Sequence, residues 1–196
     1  MIRHDHKFIF IHIPKTGGTS IEGIFKEDVG GPFEGSRGVK RKHASARKMK
    51  KIHPAEWDEY FKFAVVRNPF DLLVSRYHWS RDVQCLSSFN EKKTFRQFII
   101  AIDRGGFKPK WAVPKSQLSF LSVNKEMKMD FIVRFENLQE DFNIVCDKIG
   151  IPRKELPHIN KSNHKHYTEY YDDETREIVA KRYAKDIEYF GYEFGG

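Results

Sequence analysis

Cysteine is scarce: the 196 residues hold two, Cys85 and Cys146. They have no paired metal-ligand spacing and are too few for a disulfide framework, so a reducing, cytoplasmic setting is the expectation. Long apolar runs are missing as well. The stretch Phe8 to Ile13 is interrupted by His12 and stopped by Pro14, which is too short for a signal sequence with its cleavage site. It also falls far below the roughly twenty residues that cross a bilayer. No later segment approaches that length, so no membrane insertion is expected. Acid is absent from one whole stretch: Ser36 through Ala55 contains no Asp or Glu, but carries Arg37, Lys40, Arg41, Lys42, Arg47, Lys48, Lys50 and Lys51. Internal repeats and low-complexity tracts are absent too.

What is present describes one folded unit. A chain of this length buries one substantial core, and residues 1–196 read as a single domain. Hydrophobic residues make up 39% and charged residues 32%, too apolar for wholesale disorder. Seventeen phenylalanines supply core area rather than a stacking platform. Lys and Arg outnumber Asp and Glu by 35 to 27, for a net charge of +8, so the partner is anionic. Nucleotide, sulfated glycan, nucleic acid and anionic lipid all meet that condition.

Strand and helix signals alternate. Lys7 to Ile13 predicts a buried strand, and Ile21, Ile24 and Phe25 give Ser20 to Lys26 the spacing of an amphipathic helix. Gly30, Gly31, Gly35 and Gly38 around Pro32 predict a loop. Phe61 to Val66 predicts a second strand, followed by Asn68 as helix cap and Pro69 at the first helical position, with the helix running to about Trp79. Residues 84 to 125 are mixed, with a helix expected from Thr94 to Ile102. Asp130 to Phe135 predicts a third strand, and Leu138, Phe142, Val145 and Ile149 mark a helix closed by Gly150. One helix is expected from Asp172 to Phe190. The fold class is therefore α/β, with a mainly parallel central sheet flanked by helices and ligands beyond the carboxyl ends of its strands.

Between the first strand and helix lies Pro14-Lys15-Thr16-Gly17-Gly18-Thr19-Ser20. Adjacent glycines admit an anion close to backbone N–H groups, the helix N-terminus adds partial positive charge, and Thr19 and Ser20 add hydroxyls. This is a P-loop-like phosphate cradle, but Lys15 precedes the glycines, whereas the nucleoside-triphosphate loop places its lysine after them. Arg67 ends the second strand beside a helix N-terminus, where a guanidinium meets phosphate oxygens in a fork.

The order in IHIPKTGGTS resembles the 5′-phosphosulfate loop of the PAPS-dependent sulfotransferase family, PAPS being 3′-phosphoadenosine 5′-phosphosulfate. FAVVRNPFDLLVSRYHW is similar to that family's 3′-phosphate motif, which implies that Arg67 and Ser75 hold the 3′-phosphate. VRFENLQEDF, LPHINKS, YYDDETREIV and DIEYFGYEF are similar to its carbohydrate and bacterial branch, so the resemblance spans most of the chain. It implies sulfuryl transfer from PAPS to an acceptor hydroxyl, possible carbohydrate sulfation, and no catalytic metal. Lys15, Thr16, Gly17, Gly18, Thr19 and Ser20 would bind the phosphosulfate. Lys161 and Ser162 would belong to a late loop that closes over the nucleotide.

Sulfuryl transfer requires the acceptor oxygen to lose a proton while charge grows on the leaving phosphate oxygen, so positioning and electrostatics dominate. Lys15 is the candidate to stabilise that oxygen. His43 is the candidate base, placed before the second strand as the catalytic histidine is in similar glycan sulfotransferases. Its neutral form is available near its ordinary pKa of roughly 6.5, and neighbouring cations favour that form. Competing readings of His43 as an exposed residue, and of His158, His164 and His166 as ligand contacts, stay open. His12 is expected to bond within the core. Trp111, Gln117 and Phe107 lie where acceptor contacts are expected, and the basic run suits an anionic acceptor such as a glycan. A small kinase is the alternative enzyme, but the second strand ends in Arg67 rather than in a metal-binding acid. A non-catalytic nucleic-acid-binding protein is the other alternative; no nucleic-acid signature is visible and no nucleic-acid partner is expected.

Overall fold

The structure, a computed structural model, describes residues 1–27, 43–82, 93–105, 114–157 and 165–196. Gly30 to Gly38, Phe107, Trp111, His158, Lys161, Ser162 and His164 lie outside the described residues. The chain opens with β1 (Ile2–Arg3), β2 (Phe8–Ile11) and α1 (Gly18–Glu27). Two short helices, α2 (Ala46–Ile52) and α3 (Pro54–Glu59), lead to β3 (Phe61–Val66). Then come α4 (Pro69–Asp82), α5 (Phe95–Asp103), α6 (Gln117–Leu121) and a hairpin of β4 (Ser122–Val123) and β5 (Glu126–Met127). The last elements are β6 (Phe131–Arg134), α7 (Leu138–Ile149), α8 (Asp173–Arg182) and α9 (Ala184–Phe190). Among the described residues no helix is long and apolar enough to cross a membrane.

Two compact units emerge: Met1–Arg67 with Gln117–Ile159, and Asn68–Ser116 with Asn160–Gly196. The first holds the four-stranded sheet, in the order β1-β2-β3-β6. β2, β3 and β6 run parallel, with Phe10 opposite Phe63 and Val66 opposite Arg134. β1 adds an antiparallel edge that a run of two residues does not announce in sequence. Alternation sends Phe8, Phe10, Phe63, Val65 and Val133 to one face. There they meet Ile21, Ile24 and Phe25 of α1 and Phe142, Val145, Cys146 and Ile149 of α7. Ile9, Ile11, Ala64 and Val66 on the opposite face are buried as well, the mark of a parallel sheet covered on both sides. This is the α/β architecture that the alternating pattern implies.

The second unit is helical. Asn68 accepts from the Phe70 N–H (3.1 Å) and starts α4 with Pro69 behind it. Phe70, Leu73, Val74 and Tyr77 of α4 pack with Phe95, Phe98 and Ile99 of α5 and with Val179 of α8. Thr94 and Gln97 cap α5 reciprocally. Where the sequence suggests one helix from Asp172 to Phe190, the chain breaks at Tyr183 (φ −107°, ψ 19°). That residue closes α8 by donating to the Val179 carbonyl and starts α9 by accepting from Asp186 and Ile187. The break lets a fully buried Asp186 take a hydrogen bond from Ser116 (2.6 Å).

Candidate active site

The carboxyl ends of β2, β3 and β6 carry the candidate residues of the first unit. From the end of β2 the chain runs through His12 and Ile13 into the glycine loop. Thr16 is fully buried and its hydroxyl donates to the Ile13 carbonyl (2.9 Å), folding the loop back on the strand end. Lys15 (φ 70°) and Gly17 (φ 78°) both adopt left-handed backbone. Glycine does so freely, whereas a lysine pays about 1–2 kcal/mol, strain of the kind that gathers at functional sites. The Ser20 N–H bonds the Gly17 carbonyl (3.0 Å), so the helix begins at Gly18, inside the glycine pair rather than at Ser20.

Side chains explain both glycines. A Cβ on Gly17 would lie 3.1 Å from Phe135 and Leu138, at the start of the segment after β6. A Cβ on Gly18 would lie 2.6 Å from the His12 ring. Loop and strand end are therefore packed too closely for any side chain at Gly18. The first N–H groups of α1 and the turned loop backbone form the cradle.

Arg67, at the end of β3, is 7% exposed. Its guanidinium lies over the Phe135 ring (3.8 Å) and its Nη1 donates to the Lys15 carbonyl (3.0 Å). The two residues proposed for opposite phosphates thus meet in one unit. Gln117 holds the Arg67 backbone from both sides: its Oε1 accepts from the Arg67 N–H (3.0 Å) and its Nε2 donates to the Arg67 carbonyl (2.7 Å). Gln117 is completely buried. This corrects the expectation that it contacts an acceptor: it pins the arginine in place.

His43 is half-buried just before α2, and its Nδ1 lies 3.0 Å from the His12 carbonyl. The two rings meet edge to face at 4.6 Å. His12 is 3% exposed and pairs through Nδ1 with Glu22 Oε1 of α1 (2.7 Å), so its bonding within the core is with an acid buried on the helix. The part of the basic run that follows His43 forms α2, a helix the sequence did not announce. Ala46 and Met49 are buried and make one side of a helix, while Arg47, Lys48, Lys50 and Lys51 point to solvent. Ser75 is buried on α4 in the second unit, and Thr19 and Ser20 open α1 in the first. His166 is exposed and its Nδ1 meets the Thr168 hydroxyl (2.7 Å). Glu22 and Gln117 carried no motif signal; the only hints were an acid on the apolar side of α1 and a glutamine among loop residues.

A parallel sheet that passes through a glycine loop into a helix, with an arginine ending the neighbouring strand, defines an α/β protein whose strand ends offer backbone N–H groups and a cation to one side of the sheet. Sequence comparison refines that class: the sulfotransferase family profile matches residues 1–193, and the chain belongs to that family. Sulfuryl transfer is the reaction that membership assigns. An uncharacterized protein of Archaeoglobus fulgidus is 32% identical over 114 residues, 57% of this chain and 85% of that protein. The fold is similar to mouse sulfotransferase SULT7A1, solved in complex with PAP (TM-score 0.61, 14% identity, 95% of this chain and 86% of that one). It is also similar to a sulfotransferase from Alicyclobacillus acidocaldarius (TM-score 0.53, 16% identity, 96% and 97%).

Proposed function

We propose that the protein transfers the sulfuryl group of PAPS to a hydroxyl on an anionic acceptor, a carboxylated or sulfated glycan being the fitting class, and that residues 1–196 act as one sulfotransferase domain. The observation that carries this reading is the Arg67–Lys15 contact: the arginine clamped by Gln117 reaches the same loop whose glycines make the cradle. The 5′-phosphosulfate belongs at residues 15–20 and the 3′-phosphate at Arg67. Ser75, Lys161 and Ser162 join the nucleotide site on motif resemblance alone.

In this reading His43 takes the acceptor proton, the acceptor oxygen bonds to sulfur, and the bond from sulfur to the bridging oxygen breaks. The leaving 5′-phosphate oxygen collects negative charge beside Lys15 and the loop N–H groups. Nothing in these steps calls for a metal. Arg47, Lys48, Lys50 and Lys51, exposed on the helix that begins three residues after His43, support an acceptor of negative charge. The reducing, cytoplasmic setting rests on the scarcity of cysteine; the buried Cys146, whose thiol burial pushes above its ordinary pKa, is a core residue rather than a reactive one.

A calorimetric screen of PAPS, 3′-phosphoadenosine 5′-phosphate (PAP), ATP and short nucleic acids tests this function without knowledge of the acceptor. PAPS and PAP are expected to bind at micromolar affinity or better. Binding of ATP with magnesium in preference to PAP would favour a kinase, and steeply salt-sensitive binding of nucleic acid alone would end the enzyme reading.

A further inference from the structure

Arg3 and Arg76 are the most deeply buried arginines among the described residues, at 1% and 2% exposed. Arg3 shows what such burial requires. Its Nε and Nη2 close as a fork on the two carboxylate oxygens of Asp5, and its Nη1 donates to the Phe25 carbonyl (3.2 Å). The exposed Arg153 uses the same fork, with Nε 3.0 Å from Asp147 Oδ1 and Nη2 2.7 Å from Oδ2. On Arg76 those same two nitrogens are buried and meet no hydrogen-bond acceptor, and among the described residues no carboxylate pairs with the guanidinium. It lies over the ring of Trp79, nearly one turn further along α4, with Cζ 4.5 Å from the centroid. That contact offsets part of the cost of burial, but it offers no oxygen to the fork.

An unpaired ion is among the costliest groups a protein interior can hold. Burial lowers the Arg76 pKa to about 10, which still leaves the guanidinium charged at neutral pH, so the cost is not escaped by losing a proton. Packing does not call for the charge either. Leu72 and Ser80, one turn before and one turn after on the same side of α4, are fully buried, and an aliphatic residue between them would fill that side without desolvating an ion. What the fork does fit is a group with two oxygens to offer along one edge. We propose that Arg76 is an anion-binding residue that takes a carboxylate, sulfate or phosphate group on its Nε and Nη2 edge, with the Trp79 ring against the guanidinium. Both nitrogens lie below the surface, so binding includes a local opening of the side chains over them. In a sulfuryl-transfer enzyme the oxyanion has two sources, a phosphate of the nucleotide or an anionic group of the acceptor. The site itself rests on the geometry of α4 and not on the PAPS reading.

NMR of the arginine Nε–H groups in the full chain reads the contact directly, with the Arg76 signal assigned by its loss in Arg76→Lys. Sodium sulfate, titrated against sodium chloride at matched ionic strength, is expected to shift the Arg76 signal along a saturating curve. The signals of Arg3 and Arg153, whose forks are closed on carboxylates, should stay in place. Repeating the titration with PAP present separates the sources. If PAP shifts the Arg76 signal and abolishes the response to sulfate, the site takes a phosphate of the nucleotide; if the response to sulfate survives, it takes a group of the acceptor. No saturating shift with sulfate, phosphate or PAP would overturn the proposal, and PAP affinity measured on the same sample would leave the PAPS reading standing or falling by itself. Urea unfolding supplies an independent sign. In chloride, Arg76→Met, which removes the charge and keeps an unbranched chain, is expected to unfold at an equal or higher urea concentration, and to lack the saturating part of the gain that sulfate gives the unaltered protein. A midpoint lower by about 1 M or more would mean that the guanidinium is already paired within the chain, and would overturn the proposal as well.

Discussion

Replacing Gln117 by leucine removes two hydrogen bonds and almost no volume. The Arg67 N–H loses an acceptor at 3.0 Å and its carbonyl loses a donor at 2.7 Å, both beside a side chain with no exposure. A buried backbone group deprived of its partner costs about 1–3 kcal/mol, so the pair is worth about 2–6 kcal/mol if no other group replaces the amide. Against a typical total of about 5–15 kcal/mol this is a large fraction. With a urea dependence of about 2 kcal/mol per molar, the unfolding midpoint falls by about 1–3 M. Because the amide also sets where Arg67 leaves the strand, PAP affinity is expected to fall about tenfold or more in whatever protein remains folded, a change of about 1.4 kcal/mol. Gln117→Glu keeps an acceptor for the N–H but turns a buried carboxylate toward the Arg67 carbonyl oxygen, and is expected to cost at least as much as the leucine. Urea unfolding followed by tryptophan fluorescence and calorimetry with PAP give both quantities. A midpoint within about 0.5 M of the original, together with unchanged PAP affinity, would refute the clamp.

Gly18→Ala places a methyl 2.6 Å from a His12 ring that Glu22 holds, and is expected to cost about 1–3 kcal/mol. Adding His12→Ala should recover part of that loss, so a double-mutant cycle with no coupling would contradict the close approach. His43→Ala is expected to leave PAP affinity nearly unchanged and to lower transfer by about 10²–10⁴-fold once an acceptor is in hand; unaltered turnover would move the base elsewhere.

Where periodicity was strong, the sequence determined the element. β3 and α7 match their expected spans closely, and Gly150 and Gly191 end α7 and α9 in left-handed backbone. Three features escaped for physical reasons. α2 buries only Ala46 and Met49, one turn of apolar spacing inside a run of cations, which is too little to mark a helix. The break at Tyr183 interrupts an apolar pattern that continues unchanged on both sides. Gln117 and Glu22 act through contacts to particular groups outside their own elements, and such contacts leave no period to read. The glycine loop and the strand end at Arg67 were legible because glycine, proline and a strand-end arginine constrain backbone locally. The layer that positions them was not, because it is made by the fold.

The central claim, a site for an adenosine phosphorylated at both ends, is tested most directly by comparing PAP with adenosine 5′-phosphate on the unaltered protein and on Arg67→Ala. Loss of a charge-assisted contact worth about 1.5–3 kcal/mol corresponds to about 10–100-fold. The unaltered protein should therefore prefer PAP by at least that factor, and the variant should lose most of the preference while still binding adenosine 5′-phosphate. Equal affinity for the two nucleotides before any substitution would contradict the account.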